Sequence, residues 1–371
     1  MVLYSYEYFL DKILESTQEE VEKAKREKIF VCSEMKLPKQ SGFRNIVSVE
    51  KDSIMKKLQK NLQKNFLDKL PVCPSAKGFV KGNSYMDFLE EHIGHEYFLR
   101  MDIHNFFDSI AEGLLDENLK NFVRDEEEMS PDLEELESGA KGSRIREDII
   151  ELCTWQGRVP QGFLTSPSIS NLVFRRLDQR IRKYCRAYQK EQKREIFYTR
   201  YADDLLFSSQ GFDFKRNKNF KRMICHILED YGFSCNENKT IYQNGQISLT
   251  GYVIRKDVHL SRKKLRNINE VLYQFREIIE CDERVRSEKI KANLQMILQN
   301  LNQKKMKKSN GDPIYFADGN RLIHYVAGYR SFFIQIARTE HGNTGYDKRM
   351  QRKIHKLEII LENLSKVMEG M

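Results

Sequence analysis

Asp203 and Asp204 lie side by side in Tyr198-Thr199-Arg200-Tyr201-Ala202-Asp203-Asp204-Leu205-Leu206-Phe207, with apolar chain on either flank. If both flanking runs are buried strands, the pair sits at a hairpin tip. Two like charges held there are costly without a cation. A divalent metal removes that cost, and hard oxygen ligands suit Mg²⁺. An exposed Asp-Asp turn would have the same sequence. A third acid bears on the choice. Asp102 ends the apolar run Tyr97-Phe98-Leu99-Arg100-Met101 and is followed by Ile103 and then Phe106-Phe107-Asp108. Two metals about 3.5–4 Å apart need bridging carboxylates from different strands, which Asp102 and the Asp pair can supply. Taken alone, Asp102 would also serve as the N-cap of a helix over 105–114.

Around these acids the chain resembles the palm of reverse transcriptases. Tyr201-Ala202-Asp203-Asp204 matches the family's metal-binding hairpin, and Asp102 its other metal-binding acid. The resemblance implies that Asp102, Asp203 and Asp204 hold two Mg²⁺ ions, with Mn²⁺ as a substitute and the Ile103 carbonyl as a further ligand. Val159-Pro160-Gln161-Gly162-Phe163-Leu164-Thr165-Ser166-Pro167, followed by Asn171, matches the box that lies against the incoming nucleotide, so Gln161 and Gly162 are nucleotide-binding candidates. Phe107, five residues after Asp102, stands where the family places its steric gate against a 2′-hydroxyl; it would equally serve as a core ring beside Phe106. Pro38-Lys39-Gln40-Ser41-Gly42-Phe43-Arg44-Asn45-Ile46 resembles the fingers hairpin, whose Lys39 and Arg44 would hold the triphosphate. Lys239 sits where the family has a lysine near the leaving pyrophosphate, a candidate general acid or a merely solvated lysine. Leu249-Thr250-Gly251-Tyr252 resembles the primer-grip hairpin, where glycine lets backbone approach backbone.

The resemblance covers about residues 36–336 and is nearest the prokaryotic, retron-like and defence-associated branch. The segments that carry this are Lys77-Gly78-Phe79-Val80-Lys81-Gly82 and Cys153-Thr154-Trp155-Gln156-Gly157-Arg158. The chain departs from retron enzymes in three places. Their Asn-Ala-x-x-His box reads Phe88-Leu89-Glu90-Glu91-His92, their Val-Thr-Gly box is Leu249-Thr250-Gly251, and an acidic stretch over about 124–141 looks inserted.

The elements that must position these residues follow from periodicity. Helices are expected over 4–28, 52–70, much of 114–150, 166–188 and 220–231. A strand-turn-strand is expected over 36–46, a buried strand over 97–103, two strands flanking Ala202-Asp203-Asp204, and a hairpin over 247–259. The remainder reads as basic helices broken near 310–313. The expected fold class is α+β, a right-hand polymerase with fingers, a palm carrying an antiparallel sheet, and a helical thumb. The expected domains are 1–95 (N-terminal helix and fingers), 96–257 (palm with inserted fingers helices) and 258–371 (basic helical thumb).

The chain has 371 residues, 40% of them apolar and 11% aromatic, which excludes a disordered tail and allows a sizeable core. Its net charge is +9, and residues 251–371 hold 24 Lys or Arg against 14 Asp or Glu, so the last third carries the surplus. That favours a polyanionic partner over general solubility. Arg262, Lys263, Lys264 and Arg266, with Lys304, Lys305, Lys307 and Lys308, are the nucleic-acid-binding candidates, though such runs also occur as solvated helix faces. Seven scattered cysteines without metal-ligand spacing read as reduced thiols. No signal peptide or membrane-length apolar run is evident, and the expected compartment is the cytoplasm.

The expected function is RNA-directed DNA polymerisation by two-metal phosphoryl transfer. RNA template, DNA product and dNTPs are the implied ligands. A dedicated non-coding RNA, effector proteins or a second copy of the chain are the implied partners, in anti-phage defence. The competing readings are a retron enzyme that synthesises msDNA, an RNA-dependent RNA polymerase, and an inactive RNA-binding scaffold.

Overall fold

The apolar runs marked in the sequence become strands, and the amphipathic stretches become helices packed over them. The structure is a computed structural model that describes residues 2–3, 5–38, 42–124, 143–192, 194–308, 311–338 and 344–370. Strands β1 (Cys32–Pro38) and β2 (Phe43–Val49) form an antiparallel hairpin paired from Cys32 with Val49 to Pro38 with Phe43. It begins four residues before the expected 36, because the buried Cys32 and Val49 close its base. Strands β3 (Tyr97–Asp102), β4 (Phe197–Tyr201), β5 (Asp204–Ser209) and β6 (Ile241–Asn244) form a sheet of order β4-β5-β3-β6. Strands β7 (Ile247–Leu249), β8 (Tyr252–Ile254) and β9 (Val258–Leu260) form an antiparallel meander, one strand more than the expected hairpin. With the helices between them, the fold class is α+β as expected.

The chain divides into two compact units, residues 1–88 with 98–242, and residues 89–97 with 243–371. These limits differ from the expected 95/96 and 257/258. Residues 89–97 join the second unit because Gly94 N donates to Arg255 O at 2.6 Å and Gly245 N to Glu96 O at 2.7 Å.

In the first unit, the Ser166–Gln192 helix buries Ile169, Val173, Phe174, Leu177 and Ile181, a helical stripe. The Lys218–Glu229 helix buries Phe220, Ile224, Ile227 and Leu228 at the same spacing. Phe220 meets Phe207 of β5 edge-on at 5.4 Å, and Phe207 stacks on Tyr198 of β4 at 4.9 Å. The sheet is thereby fixed to a helical layer.

The single helix expected over 4–28 is interrupted. A helical turn and a π-turn end at Glu15, whose φ of 51° is left-handed, and a new helix, Gln18–Val31, starts at the Thr17 cap. The expected 52–70 helix runs Ile54–Asn65, opened by the Ser53 cap and followed by a 3₁₀ turn. Of 114–150, the helices are Glu112–Leu119 and Arg144–Cys153; apart from Arg124, the acidic stretch at 124–141 lies outside the described residues.

The second unit sets its meander beside the helices Arg262–Gln274, Glu283–Gln303, Gly319–Ala337 and Thr344–Glu369. Ile290, Leu294, Ile297, Leu322, Val326, Phe333, Leu357 and Ile360 form its core. No helix among the described residues is long and apolar enough to cross a membrane.

Candidate active site

The β4–β5 hairpin pairs Tyr201 with Asp204, so Ala202 and Asp203 alone form its turn. Ala202 has a φ of 54°, a left-handed conformation that costs a non-glycine residue energy. The turn is tied to the end of β3 by Ile103 N donating to Asp203 O at 3.1 Å. On its other side the same chain is held by Asn236 N donating to Asp102 O at 2.7 Å and His104 N to Ser234 O at 2.9 Å. Asp102, Ile103, Asp203 and Asp204 are thus gathered at one end of the sheet, across two neighbouring strands and a turn.

Two cations answer these acids. Arg100 lies two residues before Asp102, on the same strand face, and its Nε and Nη2 both donate to Asp204 Oδ1, at 2.8 and 2.6 Å. Lys239 Nζ donates to Asp102 Oδ2 and Oδ1 at 2.9 and 3.1 Å. Among the described residues Asp203 makes no ion pair. Burial raises its carboxyl above the ordinary range, and the neighbouring Asp102 charge adds to this. Burial likewise pushes Asp204 up to about 6, opposed by Arg100 and reinforced by Asp203 and Asp102. In this cation-paired arrangement no group of three or more His, Cys, Asp or Glu residues among the described residues is set to hold one metal ion. The donor set still fits a divalent ion in kind: oxygen ligands only, largely buried, with charge that the local cations leave partly unmatched.

Beneath the turn lies a buried polar network that the sequence reading missed. Arg200 is fully buried, and its guanidinium bonds Asp178 Oδ1 and Oδ2 at 2.8–3.2 Å. It also reaches Asn171 Oδ1 at 3.0 Å and the Ala202 carbonyl at 3.2 Å. Tyr198 donates to the same Asp178 at 2.7 Å. Asn171 in turn donates to Gly78 O at 2.9 Å, and Lys77 N donates to Arg200 O at 2.8 Å. Residues 77–78 therefore lie against the turn so closely that a Cβ on Gly78 would stand 2.8 Å from Ala202 N. The available signal was a charge inside an apolar strand, Arg200, and another inside an apolar helix stripe, Asp178.

The nucleotide-box residues are linked to the β1–β2 hairpin. Val47 N donates to Gln161 O at 2.8 Å. Gly162 has a φ of 118°, and a Cβ there would stand 2.5 Å from Val47 O. Phe107 is half-buried, its ring 5.1 Å from Phe106 and 6.2 Å from Phe79, which itself lies 6.3 Å from Tyr201. Arg44 is exposed on β2, opposite Leu37. Lys39 lies outside the described residues.

In the second unit, Leu249 and Tyr252 are buried and paired across a turn in which Thr250 and Gly251 have φ of 51° and 86°. Two positive φ values are those of a type I′ hairpin turn. Lys264 fills the space where a Gly251 side chain would go, and its ammonium lies 3.6 Å from the Phe332 ring centre and 5.3 Å from that of Tyr252. Burial lowers its pKa to about 8. It therefore differs from the exposed Arg262, Lys263, Lys304, Lys305, Lys307 and Lys308 of the same two basic runs. Those runs converge: Lys263, Arg266, Lys304, Lys305 and Lys307 line one concavity of about 210 Å³, with Glu270 as its single acid.

Comparison with known proteins adds sequence relationships. The family described as "Reverse transcriptase (RNA-dependent DNA polymerase)" matches residues 37–254. The chain is 29% identical over 265 residues to the retron Mx65 reverse transcriptase of Myxococcus xanthus, covering 67% of this chain and 57% of that protein. It is 28% identical over 247 residues to the retron Ec86 reverse transcriptase of Escherichia coli, covering 66% of this chain and 68% of that one. Among solved structures, telomerase from Candida albicans in complex with a TWJ fragment of telomeric RNA aligns with a TM-score of 0.45 and 14% identity, over 95% of this chain and 66% of that one.

Proposed function

Because the chain belongs to the reverse transcriptase (RNA-dependent DNA polymerase) family, we propose that it copies RNA into DNA at the acidic end of the β4-β5-β3-β6 sheet. The observation that carries this reading is the meeting of Asp102 with Asp203 and Asp204 across neighbouring strands, tied by the Ile103–Asp203 backbone bond. Asp102, Asp203, Asp204 and the Ile103 carbonyl would hold two Mg²⁺ ions, with Mn²⁺ as a substitute. Bound divalent ions supply a lowered pKa for a primer 3′-hydroxyl and charge balance for a triphosphate.

The remaining roles fall to the chain's own residues. Lys239, beside Asp102 on an exposed stem, protonates the leaving pyrophosphate. The Phe107 ring excludes a 2′-hydroxyl. Lys39 and Arg44 hold the triphosphate, and Gln161 and Gly162 lie along the nucleotide. In this reading residues 1–95 are fingers, 96–257 palm and 258–371 thumb. Leu249, Thr250, Gly251 and Tyr252 grip the primer, and the basic runs contact duplex phosphates.

The match to retron enzymes supports a dedicated structured RNA as template, and a role in anti-phage defence alongside effector proteins. The seven free cysteines suit a reducing cytoplasm. The test is Mg²⁺-dependent primer extension with dNTPs or rNTPs, for wild type and an Asp203→Ala, Asp204→Ala variant, with sequencing of the nucleic acid that co-purifies. Extension by wild type alone and with dNTPs supports the reading. Preference for rNTPs would make it an RNA polymerase, and RNA capture without synthesis a scaffold.

A further inference from the structure

Two of the three acids at the sheet end meet a cation, each of a different kind. Asp204 is held by a fork: Arg100 Nε and Nη2 both donate to Oδ1 at 2.8 and 2.6 Å, and Oδ2 accepts no hydrogen bond among the described residues. Arg100 sits inside a strand next to β5, its side chain 23% exposed, so it has little freedom to leave. Asp102 is 5% exposed and chelates the tip of Lys239, whose side chain is 58% exposed. Asp203, between them, has neither. A cluster of three acids in a protein that must also fold before it meets a metal would repel itself apart. Two built-in cations offset that repulsion.

We propose that Arg100 and Lys239 are resident counter-ions that hold the acid cluster together without metal, and that a divalent ion binds by displacing them. This rests on the reading of Asp102, Asp203 and Asp204 as metal ligands. The exchange is unequal. Lys239 is a point charge on a flexible stem and leaves with little cost, whereas the Arg100 fork is fixed by geometry as well as charge. Arg100 therefore sets the cost of freeing Asp204 for a metal, and Lys239 that of freeing Asp102. Lys239 is also freed by metal binding to face a bound triphosphate. Its pairing with Asp102 and its expected role as proton donor then belong to two successive states of one side chain. In this arrangement metal sensitivity is a property of the counter-ions as much as of the ligands, and it can be altered without touching an acid.

The experiment measures Mn²⁺ binding by electron paramagnetic resonance on the full chain, without substrate, together with the thermal midpoint in EDTA. Arg100→Gln and Lys239→Gln are the test variants, and Arg100→Lys is the conservative control. Each Gln variant is expected to bind Mn²⁺ about tenfold more tightly, because a charged partner no longer competes for the carboxylate. Arg100→Gln is also expected to lower the EDTA midpoint, and saturating Mn²⁺ to close the gap to wild type. Arg100→Lys should restore the midpoint. Unchanged or weaker Mn²⁺ binding in both Gln variants would overturn the counter-ion proposal while leaving the acids as metal ligands. No Mn²⁺ binding by wild type, at affinity that Asp203→Asn removes, would overturn both. If Arg100→Gln does not fold, Lys239→Gln alone decides, since its side chain lies largely outside the core.

Discussion

Arg200 and Asp178, 22 residues apart in sequence, form an ion pair from which solvent is fully excluded, and Arg200 also bonds the Ala202 carbonyl of the Ala202-Asp203 turn. Arg200 bonds both carboxylate oxygens of Asp178 and, with its remaining nitrogen, the Ala202 carbonyl. It thereby carries the strained turn on a charge that cannot be moved. Its guanidinium also lies 4.7 Å from the Phe174 ring centre.

Removing one partner leaves the other charge buried and alone. Asp178→Ala should therefore destabilise the chain by about 3–5 kcal/mol, whereas a double variant, Arg200→Leu with Asp178→Leu, should recover much of that loss. Thermal or urea unfolding of the three proteins is the measurement. The double variant should nonetheless lose DNA synthesis, because the Ala202 carbonyl then loses its bond to Arg200. Full activity in the double variant would mean that the turn needs no support from below.

Asp203 is the acid with no ion pair among the described residues, and its carboxyl is raised by burial and by Asp102. The sign follows from linkage: a raised carboxyl binds a proton more tightly folded than unfolded, so its ionisation removes stability as pH rises through the acid range. In EDTA, Asp203→Asn should melt higher than wild type at pH 7, with the difference shrinking towards pH 4. The same variant should make no DNA. A melting difference that is constant with pH would contradict the assigned ionisation.

Gly162 and Val47 bring the nucleotide box against the β1–β2 hairpin. Gly162→Ala demands both a φ of 118° from an alanine and space already taken by Val47 O. It should cost about 1–3 kcal/mol and raise KM for dNTPs by displacing the hairpin. Gly157→Ala, at a φ of 79° with nothing near its Cβ, carries the strain alone and is the control. Equal KM for the two variants would show that the hairpin contact is irrelevant to nucleotide binding.

Phe107→Ala should raise ribonucleotide incorporation relative to deoxynucleotide by about tenfold. Its ring is half-buried between Phe106 and Phe79, so a structural contribution is also expected. Single-nucleotide insertion kinetics separate the two. A purely structural ring lowers both rates together, and only a gate changes their ratio.

The concavity lined by Lys263, Arg266, Lys304, Lys305 and Lys307 is where the two basic runs meet, with Glu270 paired to Lys304 at 3.5 Å. Changing Lys304, Lys305, Lys307 and Lys308 to Gln should weaken RNA binding and flatten its salt dependence, by roughly 0.7–0.9 in log–log slope for each lost phosphate contact. Parallel salt titrations for variant and wild type would mean these lysines face only solvent. Lys264→Gln is the informative contrast, since that ammonium lies on Phe332 and its loss should alter stability more than the slope.

The sequence by itself determined the α+β class, the strands that end in Asp102 and flank Asp203-Asp204, the helix expected over 166–188, and the reverse transcriptase family. These rest on local patterns: apolar alternation, helical stripes and short boxes whose chemistry is readable in one dimension. The tertiary structure alone decided the partners. That Arg100 meets Asp204, Lys239 meets Asp102 and Arg200 meets Asp178 depends on strand order and on which helix lies beneath the sheet, and pair separations of 104, 137 and 22 residues carry no periodic signal. The same holds for Lys264: within Arg262-Lys263-Lys264-Leu265-Arg266 it reads like its neighbours, but the helix turns it onto two aromatic rings. It holds also for residues 89–97, which sequence order assigns to the first unit and two backbone hydrogen bonds assign to the second. A side chain's type is local information, whereas its counter-charge and its desolvation are set by what the fold brings within a few ångströms of it.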